Sequence, residues 1–212
     1  MTPNDGQAKL AEGQGKPART RRNRAQDVIE AAIRVFHKKG YASASIQDVA
    51  DEVGVLKGSL YHYIESKEDL LARIFEDSAG HFEAMLAEAA ALDAPPVERL
   101  RSFAHDCSLW YLQNIERVTI YVKEWEHLSG KRRKEVVRIR MDYERNLAGL
   151  IGDVKEAGAA GPDLDVNYAT YFIFGALNGL PDWYRRRGPD SAEQIADGYA
   201  AMIVATVVGD GR

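Results

Sequence analysis

Apolar positions recur at helical spacing along almost the whole chain. Ile29, Ala32, Ile33 and Phe36 fall 3, 1 and 3 residues apart on one face, and Gly40 follows Lys38 and Lys39 as a stop signal. Ile46, Val49, Ala50 and Val53 repeat that spacing. They sit behind Ser45-Ile46-Gln47-Asp48, a capping-box start with Asp in the last place, and Gly54 ends the run. Residues 57–64 predict a short third helix with Leu60 and Ile64 turned inward. Ser66-Lys67-Glu68-Asp69 caps a fourth, long helix reaching about Leu92. Asp93-Ala94-Pro95-Pro96 breaks the chain, and Pro96 suits a first helical turn. Helices are then predicted over 97–127 with a break near Asn114, over 131–157, from an Asp165 cap to about Arg186 with Pro181 bending its end, and over 191–208. No strand alternation, fixed-period repeat or heptad array interrupts them. The expected fold is all-α: a compact three-helix unit, then a helical bundle. The expected division is a tail at 1–20, a helix-turn-helix domain at 21–66 with its motif at 45–64, and a helical body at 67–212.

The second and third helices meet at Gly54, where a residue free to take positive φ lets the chain turn sharply. Val49, Val53, Val55 and Leu60 can form the joint between them. That leaves Lys57, Ser59, Tyr61 and His62 facing outward and Gly58 permitting close approach. Two short amphipathic helices at a steep angle are the means by which a helix is laid into the major groove of DNA, its first residues against base edges.

Charge supports that polarity. The net charge is −4 over 212 residues, but residues 1–65 hold 10 Lys/Arg against 8 Asp/Glu and residues 66–212 hold 18 against 24. Lys16, Arg19, Arg21, Arg22 and Arg24 have no acid among them, and read either as a DNA-directed arm or as a solvated tail. The 45% hydrophobic content allows a real core. No apolar run is long enough to cross a bilayer and no signal-type stretch opens the chain. Cys107 is the one cysteine and cannot form an intrachain disulfide. A cytoplasmic protein with no membrane association is expected.

The segment from about Arg22 to His81 resembles the TetR family of bacterial transcriptional regulators. Gly40-Tyr41, Ser45-Ile46, Asp48-Val49-Ala50, Gly54-Val55, Gly58-Ser59-Leu60-Tyr61 and Ser66-Lys67-Glu68-Asp69-Leu70-Leu71 carry the likeness by their joint spacing. Leu56 stands where Ser or Thr commonly caps the third helix, Tyr63 where His is frequent, and Ile64 where Phe is frequent. The resemblance implies an all-α homodimer on near-palindromic double-stranded operator DNA, with a variable body whose ligand changes the spacing of the two heads. It places Ser45 and Lys67 against phosphates, Tyr61 and Tyr63 against the backbone, Lys57, Gly58, Ser59 and His62 toward bases, and Arg21 and Arg22 along the minor groove or backbone.

The body is dense in large side chains. Trp110, Tyr111, Tyr121, Trp125, Tyr171 and Phe174, with Asn178, are candidates to line a cavity between helices; ordinary core is the alternative for any one of them. Lys131 to Arg145 is a basic concentration with Glu135, Asp142 and Glu144 interspersed. It reads as a solvated ion-paired face, or as an anchor in which Arg138 holds an anionic effector. Asn178, Trp183-Tyr184-Arg185, Gly188 and Ser191-Ala192-Glu193-Gln194 are similar to regulators of fatty-acid, steroid or aromatic-acid catabolism that sense CoA thioesters. An acyl-CoA or aromatic effector is therefore expected. Ala176, Leu177, Leu180, Ile195, Tyr199, Met202, Ile203 and Val207, with the small residues Ala196, Gly198, Ala200 and Ala201, make the last two helices the candidate dimer interface.

Catalysis and metal binding find no support. His37, His62, His81, His105 and His127 show no paired ligand spacing, and a single cysteine offers no zinc framework. His105, Asp106 and Cys107 are adjacent on a helix and point different ways, so they cannot form a nucleophile–base pair. No cofactor is expected. Two alternatives to an effector-responsive regulator stay open: a DNA-binding regulator without an effector, and a helical carrier of small molecules.

Overall fold

The computed structural model describes residues 21–209, with side chains from Arg24 onward, so the expected tail at 1–20 and the side chains of Arg21 and Arg22 lie outside the described residues. Ten α-helices follow one another among the described residues, with a 3-10 turn at Trp125–His127 and no strand. The head comprises α1 (Arg21–Lys39), α2 (Ile46–Val53) and α3 (Lys57–Leu60). Helix α4 (Lys67–Ala91) leads from the head into the body. The body adds α5 (Pro96–Gln113), α6 (Ile115–Lys123), α7 (Gly130–Glu156), α8 (Val166–Asn178), α9 (Leu180–Trp183) and α10 (Ala192–Val208). One continuous hydrophobic core runs from Val28 in the head to Val207 in the last helix. No helix among the described residues is long and apolar enough to cross a membrane.

The local signals act as their chemistry requires. Ser45 and Asp48 form a reciprocal capping box at α2, and Lys39 pairs with Asp48 at 2.6 Å. Those bonds from Lys39 and Ser45 hold the Asp48 carboxyl down at about 2. Gly54 closes α2 at φ 77°, a backbone state that side chains resist. Ser66 caps α4 by accepting from the Asp69 N–H, and Ser191 and Gln194 form a second capping box at α10.

Three expectations change. The third helix ends at Leu60, and tighter turns carry the chain onward, with Tyr63 N–H donating to Leu60 O at 2.8 Å. Leu56 gives it no side-chain cap; Ser59 N–H donates to the Leu56 carbonyl at 2.9 Å instead. The helix expected from Asp165 to Arg186 breaks at Gly179, because Pro181 has no N–H to continue the ladder. On α1 the buried face is wider than the periodicity implied. Val28, Ala31, Ala32, Ile33, Val35 and Phe36 are all covered while Ile29 is only half-buried, since α1 packs against α2, α4 and α6 together.

Polar contacts fasten head to body. Lys67, at the start of α4, donates to the carbonyls of Tyr41, Ala42 and Ala44 at 2.6, 3.2 and 2.7 Å, and its ammonium lies 4.3 Å from the Tyr41 ring centre. It thereby closes the turn between α1 and α2. Arg117 of α6 is buried and bonded to both Glu30 of α1 and Asp77 of α4. Glu68 accepts from the Ser129 amide and hydroxyl at 2.6 and 2.9 Å, and Arg132 pairs with Glu65 at 3.0 Å, tying the start of α7 to the start of α4.

Two substitutions test this account by urea denaturation. Lys67→Met removes all three ammonium bonds at the turn and is expected to cost about 2 kcal/mol. A loss below about 0.5 kcal/mol would mean that water replaces the ammonium. Leu56→Ser supplies a side-chain acceptor at α3 and is expected to stabilise the fold by about 1 kcal/mol. No gain would show that α3 is held entirely by its packing.

Candidate functional site

The head presents one uncovered surface. Leu60 and Ile64 are buried beneath α3 and the turn after it, so this segment is fixed from behind by apolar contact. Its other side is open. Lys57, Gly58, Tyr61 and His62 are exposed and Ser59 is half-covered. Among the described residues the side chains of Lys57, Ser59, Tyr61 and His62 make no hydrogen bond or ion pair, so their polar groups stand free toward an outside partner. Leu56 is 81% exposed at the same end, an unusual position for a leucine. Tyr63 is half-buried and packs against the core.

Two residues expected at phosphates are engaged inside the fold. The Ser45 hydroxyl accepts from Asp48 N–H at 3.2 Å and donates to the Asp48 carboxylate at 2.8 Å. The three ammonium donors of Lys67 all meet carbonyls, and burial lowers its pKa from the usual lysine value. In this conformation Lys67 braces the turn.

In the body, a cavity of about 160 Å³ lies between α5, α6, α7 and α8. Tyr111, Tyr121, Arg140, Tyr143, Glu144, Tyr171, Phe174 and Asn178 line it. Behind it the buried Phe82 ring is a hub, 5.6 Å from Tyr111, 5.2 Å from Tyr121 and stacked 4.7 Å from Tyr143. Tyr143 Oη lies 3.2 Å from the buried Cys107 Sγ, and Tyr111 Oη donates to Asn178 Oδ1 at 3.3 Å. Burial pushes the Tyr111 and Tyr143 phenols well above the usual tyrosine range and the Cys107 thiol up to about 12. All three are therefore neutral at physiological pH, and Cys107 is no nucleophile.

Of the residues expected at this cavity, Tyr111, Tyr121, Tyr171, Phe174 and Asn178 do meet there. Trp110, Trp125 and Arg138 do not. The Trp110 ring packs on Phe82 at 5.0 Å and on His81 at 5.3 Å, away from the lining. Trp125 lies between Arg133 and Arg140, with guanidinium-to-ring distances of 5.0 and 5.4 Å. Arg138 is exposed and held by Glu135 at 2.6 Å and Asp142 at 3.1 Å, as part of an ion-paired face. Two residues further along a helix is a rotation of about 200°, which puts Arg140 on the opposite side from Arg138. Arg140, Tyr143 and Glu144 were missed. The signal was present, because Arg140 lies on the apolar stripe Val136, Tyr143, Leu147, Leu150 and Ile151.

A second kind of surface lies on α8 and α10. Tyr168, Phe172 and Met202 are 75%, 61% and 58% exposed, and Tyr171 and Gly175 extend the α8 stripe at i, i+3, i+4 and i+7. On α10, Gly198, Ala201, Met202 and Ala205 are also uncovered. Leu177, Leu180, Ala196, Ala200, Ile203 and Val207, expected at an intersubunit contact, are buried within this chain, chiefly where α10 packs on α5 and α9 packs on α5 and α6. Among the described residues no group of His, Cys, Asp and Glu is arranged to hold a metal ion.

Known proteins share this architecture. The sequence is similar to the KstR2 transcriptional repressor of Mycobacterium tuberculosis, 27% identical over 89% of this chain and 95% of that protein. The solved structure of that ketosteroid regulator superposes with a TM-score of 0.80 at 26% identity, over 88% of this chain and 96% of that one. AibR, solved in complex with isovaleryl coenzyme A and operator DNA, gives a TM-score of 0.77 at 28% identity, over 84% of this chain and 97% of that one. The regulator PfmR of Thermus thermophilus gives 0.76 at 29% identity, over 84% of this chain and 96% of that one. The profile of bacterial regulatory proteins of the tetR family matches residues 28–74, and that of the tetracyclin repressor-like C-terminal domain matches residues 93–207. Together these matches span the head and most of the body, and the chain belongs to the TetR family of bacterial regulatory proteins.

Proposed function

We propose that this protein is a homodimeric transcriptional repressor that leaves its operator when a small hydrophobic or anionic effector, such as an acyl-CoA, fills the cavity between α5 and α8. One observation carries the reading. Helix α6 reaches both ends of the switch, with Tyr121 on the cavity wall and Arg117, one turn earlier, bonded to α1 and α4. A ligand that moves α6 therefore pulls on the helices that hold the head.

DNA contact rests on α3 and its following turn. Lys57, Gly58, Ser59 and His62 face the bases, while Tyr61 and Tyr63 lie along the backbone. Ser45 contributes its place at the start of α2, where helix amides favour phosphate. Arg21 and Arg22 belong to the proposed arm along the backbone or minor groove. Dimerisation rests on the uncovered stripes of α8 and α10. Their exposed aromatics are too many for a solvated surface, and a two-fold contact would cover them on both subunits. Switching needs an effector that binds the released conformer more tightly than the operator-bound one. The AibR complex supports such an effector here, and KstR2 supports repression. A DNA-binding regulator with no effector would leave the cavity polar groups unexplained.

Two measurements test this reading. Fluorescence anisotropy on duplexes from the DNA flanking its gene is expected to show selective binding that weakens steeply with salt. Lys57→Ala and His62→Ala should each alter base preference by about 1–3 kcal/mol. Equal affinity for all duplexes at moderate salt would reject the regulator reading. Phe172→Glu places a charge on an already exposed position, so the subunit should still fold. Sedimentation should then show a shift toward monomer, with operator affinity falling at least tenfold; an unchanged dimer would move the interface elsewhere.

A further inference from the structure

Tyr121 Oη is a buried side-chain polar atom without a hydrogen-bond partner, and no other is found among the described residues. Tyr121 is 3% exposed and forms part of the cavity wall. Burial pushes its phenol up to about 12, so it keeps its proton and remains a donor. Folded proteins pair such groups almost without exception, because an unmade buried hydrogen bond is costly.

The neighbouring groups share the same polarity. Arg140 gives one N–H to the Tyr121 carbonyl at 3.2 Å and lies 5.4 Å from the Tyr121 ring centre. No carboxylate pairs with it among the described residues, although Glu144 stands one turn along the same helix and lines the same cavity. Asn178 uses its carbonyl oxygen to accept from Tyr111, which leaves its amide hydrogens without a protein acceptor. The wall is thus rich in donors: a phenol, a guanidinium and an amide. The rest of it, Tyr143, Tyr171 and Phe174, is aromatic. The volume is small. About 160 Å³ is close to the apolar cavity of about 150 Å³ known to hold a single benzene ring, and well short of a fused four-ring skeleton.

We propose that the cavity receives the acyl group of a small carboxylic acid, free or as its thioester, with the acyl oxygen at Tyr121 Oη and Arg140 and a short branched chain or single ring against Phe174 and Tyr143. This deepens the effector half of the reading above and is independent of its DNA half. The acyl oxygen is an acceptor only, which matches the unpartnered Tyr121 hydroxyl and the N–H groups that Arg140 and Asn178 do not use among the described residues. An alcohol of the same skeleton is a weaker acceptor carrying a proton of its own, and meets this wall less well.

Calorimetric titration of the full chain tests the assignment. The probes are isovalerate, isovaleryl-CoA, benzoate and benzoyl-CoA, against isoamyl alcohol, benzyl alcohol, CoA alone and the four-ring acid cholate. At least one acyl probe should bind ten times or more tighter than its alcohol, and cholate should not compete. Binding of the free acid as well as the thioester identifies the acid as sufficient; binding of the thioester alone assigns part of the affinity to the CoA moiety. Tyr121→Phe should weaken the best probe about tenfold and raise the melting temperature of the unliganded protein. Arg140→Gln supplies a second, independent loss of the same ligand. The proposal is overturned if no acyl probe binds, if alcohols bind equally, if cholate binds as tightly, or if both variants keep full affinity. Acyl binding through Tyr121 in a protein that ignores DNA would sink the repressor reading and leave this one standing.

Discussion

A buried guanidinium ties the head of this molecule to its body. Arg117 leaves α6 and is almost fully covered, yet it carries a charge that cannot be left alone in an apolar interior. Glu30 on α1 and Asp77 on α4 neutralise it from two sides. Only Arg117 is deeply covered, so it is the guanidinium that depends on both acids for compensation. The three helices are therefore constrained to one arrangement, and the head cannot drift independently of the body. Replacing the cluster with apolar side chains could preserve stability, but would remove the dependence of the head on the position of α6.

That dependence extends along the chain beyond Arg117. After α6 comes the short turn Trp125–His127. Its His127 ring lies 5.1 Å from the Tyr41 ring, and Glu124 accepts from the Tyr41 amide at 3.3 Å. Tyr41 belongs to the turn that Lys67 closes, and α2 starts immediately after that turn. Helix α6 carries Tyr121 and Arg117 and leads directly into Glu124 and His127, which are bonded to each other and packed on Tyr41, so the cavity wall and the head share one element. A four-residue helix such as α3 has no stability of its own. Its position is a property of the helices beneath it, so anything that shifts those helices shifts α3.

Two classes of unsatisfied group mark where this fold meets other molecules. Among the described residues, exposed apolar side chains on α8 and α10 lack a cover, while Lys57, His62, Arg140 and Tyr121 have polar atoms without a protein partner. Arg117, Lys67, Asp48 and Glu68, by contrast, are engaged inside the fold.

Sequence alone determined the elements and their order. Periodicity, the caps at Ser45, Ser66, Asp165 and Ser191, and the stop at Gly54 are local effects, and each depends on residues within a turn or two of chain. The exposed α3 surface was legible for the same reason, since two short helices and a tight turn dictate which side is buried. Sequence also named Tyr111, Tyr121 and Phe174, aromatics at helical spacing on covered faces, together with Tyr171 and Asn178 at the cavity edge. Which inward face meets a void was decided only by tertiary packing. Tyr111 lines the cavity and its neighbour Trp110 does not; Arg140 lines it and Arg138 is bridged on the outside. Lys67 and Ser45 looked free to hold phosphate until long-range folding brought three carbonyls to one and a capping box completed the other. A one-dimensional pattern fixes the angle at which a side chain leaves its helix. What stands opposite that side chain depends on helices scores of residues away, and their approach is set by the whole core at once.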